Sequence, residues 1–287
     1  MFLLSVLSVP RGEPEPEPVA MRAHFFEAVR SSGQRGVMLD VGANAGGFSL
    51  SVLMQGRKAS LPLKLLMFDP QPAFRRKLEF LVKQWQPTAT FYAAAAWVEE
   101  GTTTFYLSRN SRTASLSEQN AAMLGSRGAV DVRTLSLSEA ILNHTRPTAK
   151  GAVPPPVFLK CDVEGAEYDL LPHLLTTGAL CRVTHLYMEW HLNSVPPTRR
   201  LAALALRTTL EHTLRRGCVH PPVWYEHDEY DVNNLEEEVP GLWQLALLHN
   251  GTPVPGSMQR NPFAKNWAGV HGAGRAGRAK AKPPKHY

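Results

Sequence analysis

Hydrophobic positions along the chain form two short runs that each end at a carboxylate. The first run, residues 37–41, contains Asp40 near its end, and the second, residues 157–161, is followed by Asp162. Each run is followed by a turn of small residues and then by a helical pattern. Short apolar runs bounded by turns are typical of buried strands, and the carboxyl ends of parallel strands line the crevice where open α/β sheets bind ligands. This pairing predicts an enzyme that uses a cofactor.

The alternation of strand and helix continues over most of the chain. Further strands are predicted at residues 63–68, 90–95, 130–135 and 183–190, and helices at residues 19–30, 46–55, 73–85, 165–175 and 198–216. A strand at 102–107 is expected to form a hairpin with the strand before it, and Ser136 or Ser138 is expected to cap a short helix. Strands at 223–225 and 242–248 are predicted to form an antiparallel edge. The pattern predicts one doubly wound, mostly parallel α/β sheet with helices on both faces.

Composition divides the chain of 287 residues into three parts. Residues 1–20 start with a short apolar stretch and continue into a linker of proline and glutamate at 10–18, which predicts a disordered start or the remnant of a targeting signal. The α/β pattern occupies residues 21–250. Residues 251–287 carry seven Lys and Arg and no acidic residue, so the net charge of +6 belongs to this tail, and we expect it to be disordered. No apolar run approaches the length of a membrane span.

The three cysteines do not predict a disulfide framework. Cys161 and Cys181 lie on or beside predicted strands, and we expect buried thiols there. Glycosylation sequons at Asn143 and Asn250 would matter only in a secretory compartment. The compartment therefore stays open between the cytoplasm and the secretory pathway.

The turn after the first strand carries the chemistry of a nucleoside site. Gly42 and Gly46 lie where the strand turns into a helix, a position that often needs a positive φ. The spacing nearly fits the dinucleotide fingerprint, but Asn44 replaces its central glycine and would crowd a pyrophosphate. The stretch fits better the loop that binds S-adenosylmethionine, which has no phosphate. Asp69 ends the next strand, where a carboxylate can accept both hydroxyls of a ribose.

These segments resemble the FkbM-type S-adenosylmethionine-dependent methyltransferases. The matching stretches are residues 39–46, 68–72, 94–107, 115–116, 159–167 and 188–191. The stretch Lys-x-Asp-Val-Glu-Gly-Ala-Glu at 160–167 is the most specific of them. Three departures occur: Asp69 stands where the family often has Glu, the Thr-Leu at 134–135 lacks the acidic pair that usually follows it, and Pro172-His173 replaces a usual small or basic pair.

The resemblance implies a class I methyltransferase domain over residues 21–250, with S-adenosylmethionine as cofactor and O-methylation of a hydroxyl on a sugar or small natural product as activity. The implied cofactor-binding residues are Asp40, Gly42, Asn44 and Gly46 for the methionine end, Asp69 for the ribose and Ala95 for the adenine. The expected partner is therefore a small-molecule or glycan acceptor. Nucleic acid is not expected, because the basic tail interleaves few aromatic residues, such as Trp267, with its charges. The oligomeric state stays open.

A hydroxyl acceptor must lose its proton, which calls for a positioned base. The predicted catalytic residues are Asp162, Glu164 and His191, at or near the ends of two strands, with Glu189 a further candidate. A helix cap is the structural alternative for Asp162, and Glu167 is interpreted as structural. The same acids could also assemble an oxygen-rich site for Mg²⁺ or Ca²⁺, but no compact ligand spacing supports it, so no metal site is predicted.

Two other functions remain as alternatives. A nicotinamide-dependent oxidoreductase could use a related sheet, although Asn44 and the second strand that ends at a carboxylate argue against it. A catalytically inactive protein could keep a degenerate pocket and act through its basic tail. The intact Gly42, Gly46 and Asp69 argue against such decay.

Overall fold

The structure, a computed structural model, describes residues 17–108, 114–116, 126–146 and 153–228. Several predictions from the sequence fall outside these ranges. They concern residues 1–16, the strand at 242–248 and the basic tail at 251–287.

Strands and helices alternate along the described chain. The strands are β1 (Gly36–Val41), β2 (Leu63–Phe68), β3 (Ala89–Tyr92), β4 (Ala95–Trp97), β5 (Gly101–Ser108), β6 (Ser126–Ser136), β7 (Val157–Cys161), β8 (His185–Trp190) and β9 (Val223–Asp228). The helices are α1 (Glu17–Ser32), α2 (Gly47–Lys58), α3 (Pro72–Trp85), α4 (Leu137–His144), α5 (Glu167–Thr176) and α6 (Pro197–Gly217). Short 3₁₀ turns lie at Leu180–Arg182 and Leu192–Ser194.

Six strands form the central sheet in the order β3-β2-β1-β7-β8-β9. Every neighbouring pair in this sheet is parallel. The direction of winding reverses between β1 and β7, and ligands of doubly wound sheets bind at the carboxyl ends of the strands at such a point. The predicted fold class, a mostly parallel Rossmann-like sheet with helices, is confirmed.

Burial on both faces explains why the central strands are continuous apolar runs. All six residues of β1 and all five of β7 are buried. On one face, Phe25 of α1 packs edge-on against Phe158, with ring centroids 5.6 Å apart. Helix α3 turns Phe74, Leu78 and Leu81 inward, at the spacing that the sequence shows.

The second, smaller sheet has the order β4-β6-β5 and corrects two predictions. The strand predicted at 90–95 is two strands, because the chain leaves the central sheet after Tyr92 and enters the small sheet at Ala95. The expected hairpin of residues 102–107 with the preceding strand is wrong. β5 pairs antiparallel with β6 instead, and β4 lies parallel to β6 on its other side.

The predicted antiparallel edge also needs correction in the described part of the chain. β9 runs parallel to β8, with His185 opposite Val223. The long helix α6 crosses back over the sheet before β9 begins, and a crossover of this kind produces a parallel pair. Antiparallel pairing occurs instead between β5 and β6.

The cysteine prediction is partly wrong. Cys181 and Cys218 form a disulfide, with 5.2 Å between their Cα atoms and a sequence separation of 37. Cys161 is a buried free thiol, as expected. Three cysteines leave several pairings open, and only the fold brings the end of α6 to the 3₁₀ turn that carries Cys181. Among the described helices, none is long and apolar enough to cross a membrane.

Candidate functional site

A cleft opens between the central and small sheets, and its empty space amounts to about 560 Å³ when the adjoining open solvent is included. Its wall includes the ends of β1 and β2, the loop after β7, and residues of β4 and β5. The predicted site residues that line it are Gly42, Asn44, Asp69, Ala95, Asp162 and Glu164. Apolar lining comes from Phe68, Ala96, Phe105, Ala114 and Leu116. Residues that the sequence placed at separate strand ends therefore lie around one cleft.

Gly42 allows β1 and β7 to approach closely at the floor of the cleft. Its φ is 80°, in the left-handed region that glycine adopts without strain. A Cβ at this position would lie 1.8 Å from the carbonyl oxygen of Asp162. Only glycine fits here.

Gly46 lies at the start of α2, next to α3. Its φ is 79° and it forms the N-cap of α2. A Cβ there would lie 2.9 Å from the side chain of Leu78. Gly46 therefore lets α2 and α3 pack together, and it is absent from the residues that line the cleft.

The backbone N–H groups of the loop at 42–46 are already bonded within the protein. Gly42 and Ala43 both donate to the carbonyl of Phe68, at 3.0 Å each. Asn44 donates to Asp69, Ala45 to the side chain of Asn44, and Gly46 to the carbonyl of Ala43. A loop that binds a pyrophosphate presents its N–H groups to the ligand. The N–H groups of residues 42–46 instead form hydrogen bonds within the protein.

Asp69 closes β2 and is held rigidly in the wall of the cleft. Its Oδ2 accepts from the N–H of Asn44 at 2.7 Å, and its Oδ1 accepts from the N–H of Gln71 at 2.8 Å. The residue is only 4% exposed. Burial raises the pKa of Asp69 to about 7, although both backbone donors oppose the shift. The carboxylate is placed to accept further hydrogen bonds from a ligand in the cleft.

Asp40 does not face the cleft. It is fully buried, and its carboxylate accepts a hydrogen bond from Ser49 and lies 3.4 Å from Nζ of Lys160. Burial raises the pKa of Asp40, while Lys160 and Ser49 act in the opposite direction. Asp40 lies beneath the floor of the cleft, where its carboxylate forms an ion pair with the buried Lys160.

Lys160 is a residue that reasoning from the sequence missed. Its ammonium group donates to Oδ2 of Asp162 at 2.9 Å and to the carbonyl of Gly42 at 3.1 Å. Burial favours the neutral amine, but Asp162 and Asp40 outweigh it and raise the pKa of Lys160. A lysine inside an otherwise apolar strand was the available signal, because a buried lysine needs partners.

Asp162 and Glu164 form the acidic side of the cleft. Burial would raise the pKa of Asp162, but Lys160 and His191 outweigh it, and the pKa is lowered. Glu164 has a φ of 55°, which is strained for a residue with a side chain. Its carbonyl accepts from the hydroxyl of Ser115 at 2.6 Å, which ties this loop to the small sheet. Both carboxylates reach the cavity, as the sequence predicted.

Glu167 supports the loop from below, in agreement with its interpretation as structural. It is fully buried, and it accepts from the N–H of Val163 at 3.0 Å and from the N–H of Gly165 at 2.9 Å. Its Oε1 also lies 2.9 Å from Nδ1 of His191. One carboxylate thus fixes both the acidic loop and the imidazole.

His191 lies behind the acidic loop and not in the lining itself. Its side chain is 2% exposed, and Nε2 lies 3.8 Å from Oδ1 of Asp162 and 3.8 Å from Oε1 of Glu164. Burial lowers the pKa of His191, but the carboxylates of Glu167, Glu164 and Asp162 outweigh it and raise the pKa to about 10. The imidazole is therefore protonated at neutral pH in this arrangement, which does not favour His191 as a free proton acceptor.

These features define a class of protein. A parallel Rossmann-like sheet, a cleft at its switch point and a glycine turn that leads into a helix are the parts of a Rossmann-like methyltransferase. Residues 40–212 match the methyltransferase FkbM domain, which is more than half of the chain. The chain belongs to this family. Neither the curated proteins nor the solved structures include a match.

Proposed function

We propose that the protein transfers the methyl group of S-adenosylmethionine to a hydroxyl oxygen of a sugar or small natural product. The family supports a methyltransferase and hence a methyl donor. The observation that carries the choice of donor is the loop at 42–46, whose backbone donors are bonded within the protein. S-adenosylmethionine has no phosphate, so its binding does not require free N–H groups in this loop.

The cleft offers a matching surface for each part of this cofactor. Asp69 would accept hydrogen bonds from the ribose hydroxyls. Ala95 and Ala96, with Phe105, would form an apolar wall for the adenine. The methionine end would lie over Gly42 and Asn44, towards the acidic loop. Asp40 and Gly46 would act on this end only indirectly, through Lys160 and through helix packing.

The acceptor would approach from the side of Asp162 and Glu164. In the transfer, the bond between sulfur and the methyl carbon breaks, the bond between oxygen and that carbon forms, and the sulfonium becomes a neutral thioether. Alignment of the oxygen behind the methyl group is worth up to about 7–11 kcal/mol. Fixed lining residues such as Asp69 serve this alignment.

The proton of the acceptor hydroxyl must go to a base, and Glu164 is the best placed. Asp162 is ionised but bonded to Lys160, so its basicity is reduced. It is better suited to hold a cationic group of the cofactor. His191 would fix both acids from behind. A positioned base contributes roughly a hundredfold or more to the rate.

Calorimetry of the full chain with S-adenosylhomocysteine and, separately, with NAD tests the choice of cofactor. We expect binding of S-adenosylhomocysteine and none of NAD. Asp69→Ala should weaken this binding at least tenfold, since it removes a charged hydrogen-bond acceptor, whereas Glu79→Ala on the exposed face of α3 should leave it unchanged. Binding of NAD alone would support an oxidoreductase, and binding of neither would support an inactive interaction protein.

Transfer of a labelled methyl group tests the acceptor class. Incubation with fractionated glycans and hydroxylated metabolites should label one of these fractions at oxygen. Glu164→Gln should lower turnover about a hundredfold and leave the affinity for S-adenosylhomocysteine within about threefold. Label found only at nitrogen or carbon would contradict O-methylation.

A further inference from the structure

Three potential metal ligands converge at the acidic side of the cleft. One oxygen each of Asp162 and Glu164 and one nitrogen of His191 all lie within 4.8 Å of one another. We propose that these three residues bind one divalent first-row transition metal ion, with Mn²⁺ as the best match. The inference concerns the acceptor side of the proposed methyl transfer and rests on that function for its role, but the binding itself does not.

The nitrogen of His191 that faces the two acids carries the inference. Nε2 is completely buried and has no hydrogen-bond partner within the described residues. It lies 3.8 Å from each of the two carboxylate oxygens, which is too far for a hydrogen bond. A buried polar atom without a partner is costly. An ion between the three atoms would satisfy it.

The other nitrogen of His191 fixes which tautomer faces the acids. Nδ1 lies 2.9 Å from Oε1 of Glu167, which also accepts from the N–H of Val163. Since an ionised carboxylate only accepts, Nδ1 carries the hydrogen and donates it. Binding of a metal ion would displace the second proton of the imidazole, and the lone pair that binds the ion would then sit on Nε2. Histidines that bind metals typically show this arrangement, with a carboxylate behind the ring.

The distances suit a transition metal. Two donor atoms bound to one ion at about 2.1 Å lie between roughly 3 and 4.2 Å apart. Both 3.8 Å separations fall in this range. The widest separation in the set, at most 4.8 Å, needs a shift of about half an ångström. The side chain of Glu164 faces the cavity and can supply that movement.

The charge of the surroundings favours a cation. The carboxylates of Asp162, Glu164 and Glu167 surround the imidazole of His191, and Lys160 is shared between Asp162 and Asp40. Buried charges in proteins are paired or bind metals, so a bound cation would relieve the repulsion.

The donor set decides between metals. Two carboxylates suit Mg²⁺, Ca²⁺ and Mn²⁺, whereas an imidazole suits Zn²⁺ and the other later transition metals. Of the three ions that suit carboxylates, Mn²⁺ alone is a first-row transition metal. Asp162 and Glu164 both line the cleft, so the remaining coordination positions of the ion would open to the cleft. An acceptor hydroxyl bound there would have a lowered pKa.

Titration calorimetry of the chelator-treated full chain with Mn²⁺, Zn²⁺ and Mg²⁺ tests the proposal. We expect one Mn²⁺ per chain and an affinity for Mg²⁺ at least tenfold weaker. Glu164→Gln and His191→Gln should each weaken Mn²⁺ binding tenfold or more. Glu211→Gln, at an exposed glutamate of α6, is the matched control and should bind as the unmodified chain does.

Electron paramagnetic resonance of Mn²⁺ gives a second readout that does not depend on heat or activity. The signal of free Mn²⁺ should fall on addition of the protein and should remain with Glu164→Gln. No binding up to about 1 mM, or equal binding by Glu164→Gln, would overturn the proposal and leave a proton at Nε2 of His191 as the explanation. Binding of S-adenosylhomocysteine by the same samples shows whether the proposed function stands independently.

Discussion

Lys160 and Asp40 form an ion pair between neighbouring strands, with 3.4 Å between Nζ and Oδ1, directly beneath the cleft. The two residues are register partners on β7 and β1. The same ammonium group also bonds to Asp162, which lines the cavity. One buried cation thus connects the fully buried carboxylate of β1 with the half-buried acidic loop that lines the cleft.

Loss of this cation should destabilise the whole sheet. Lys160→Met keeps the length of the side chain but leaves Asp40 buried without its partner, which costs about 3–5 kcal/mol. Urea denaturation measures the loss as a change in the free energy of unfolding. Lys77→Met, at an exposed position of α3, is the control and should change that free energy by no more than about 0.5 kcal/mol. Equal stability of the two variants would contradict a structural role for the ion pair.

The sequence predicted the part of the site that lies at strand ends. Asp69, Asp162 and Glu164 follow apolar runs, and the geometry of a parallel sheet brings such positions together. The sequence did not distinguish the residues that line the cleft from the residues that lie beneath it. Asp40 and Asp69 have similar contexts in sequence, yet only Asp69 reaches the cavity. That difference depends on the path of the backbone after the strand. The identity of one acidic residue does not determine this path.

Substitution of Gly42 should be much more harmful than substitution of Gly47. Gly42→Ala places a Cβ 1.8 Å from the backbone carbonyl oxygen of Asp162, the residue after β7. The φ at position 42 is 80°. The backbone cannot yield without separating β1 from β7, so we expect a loss of about 3 kcal/mol or more in the free energy of unfolding. Gly47→Ala meets nothing within 4 Å. Chemical denaturation of both variants should show a loss for the first only; similar stabilities would contradict the close approach.

The disulfide should contribute measurably to stability. Cys181 and Cys218 close a loop of 37 residues, and a cross-link of this size is worth about 2–4 kcal/mol. Cys181→Ala, Cys218→Ala and the double variant should all lose the same amount, because each removes the same bond. A double variant that loses the sum of the two single losses would show that the thiols contribute separately. Reduction of the unmodified chain should reproduce the loss.

The affinity for S-adenosylhomocysteine should depend on pH through Asp69. The pKa of this carboxyl is raised to about 7, so at pH 6 only about a tenth of it is ionised. The ionised form is the stronger acceptor for ribose hydroxyls. Affinity should therefore rise about tenfold from pH 6 to pH 8. Calorimetry at both values checks this, and a flat profile for the unmodified chain would contradict the role of Asp69.

Stability should change with pH in the opposite direction. The pKa of Asp69 is higher in the folded chain, about 7, than its ordinary value of 3.8. The contribution of the protonated group to stability is thus fully present below about pH 4 and is lost as the pH rises through 7. The slope is at most about 1.4 kcal/mol per pH unit between these values. Urea denaturation should show a shallower slope for Asp69→Ala; equal slopes would exclude Asp69 as the source.

The fold was predictable where a local sequence pattern determines the secondary structure. The buried runs at 63–68 and 157–161 became β2 and β7 with the same bounds, and Ser136 caps α4, as one of the two serines was expected to do. The pairing of strands that are far apart in sequence was harder to predict. β5 pairs with β6 rather than with its neighbour in sequence, and β9 is parallel. These partners depend on long-range packing, and propensity of single segments does not determine it.

A crystal structure of the full chain with S-adenosylhomocysteine tests the central proposal most directly. We expect the nucleoside in the cleft, with ribose hydroxyls within about 3 Å of the Asp69 carboxylate. The adenine should lie against Ala95, and the sulfur should face Asp162 and Glu164. A nucleoside bound elsewhere, or a ribose held by a different carboxylate while Asp69 bonds only to Asn44 and Gln71, would contradict the proposal.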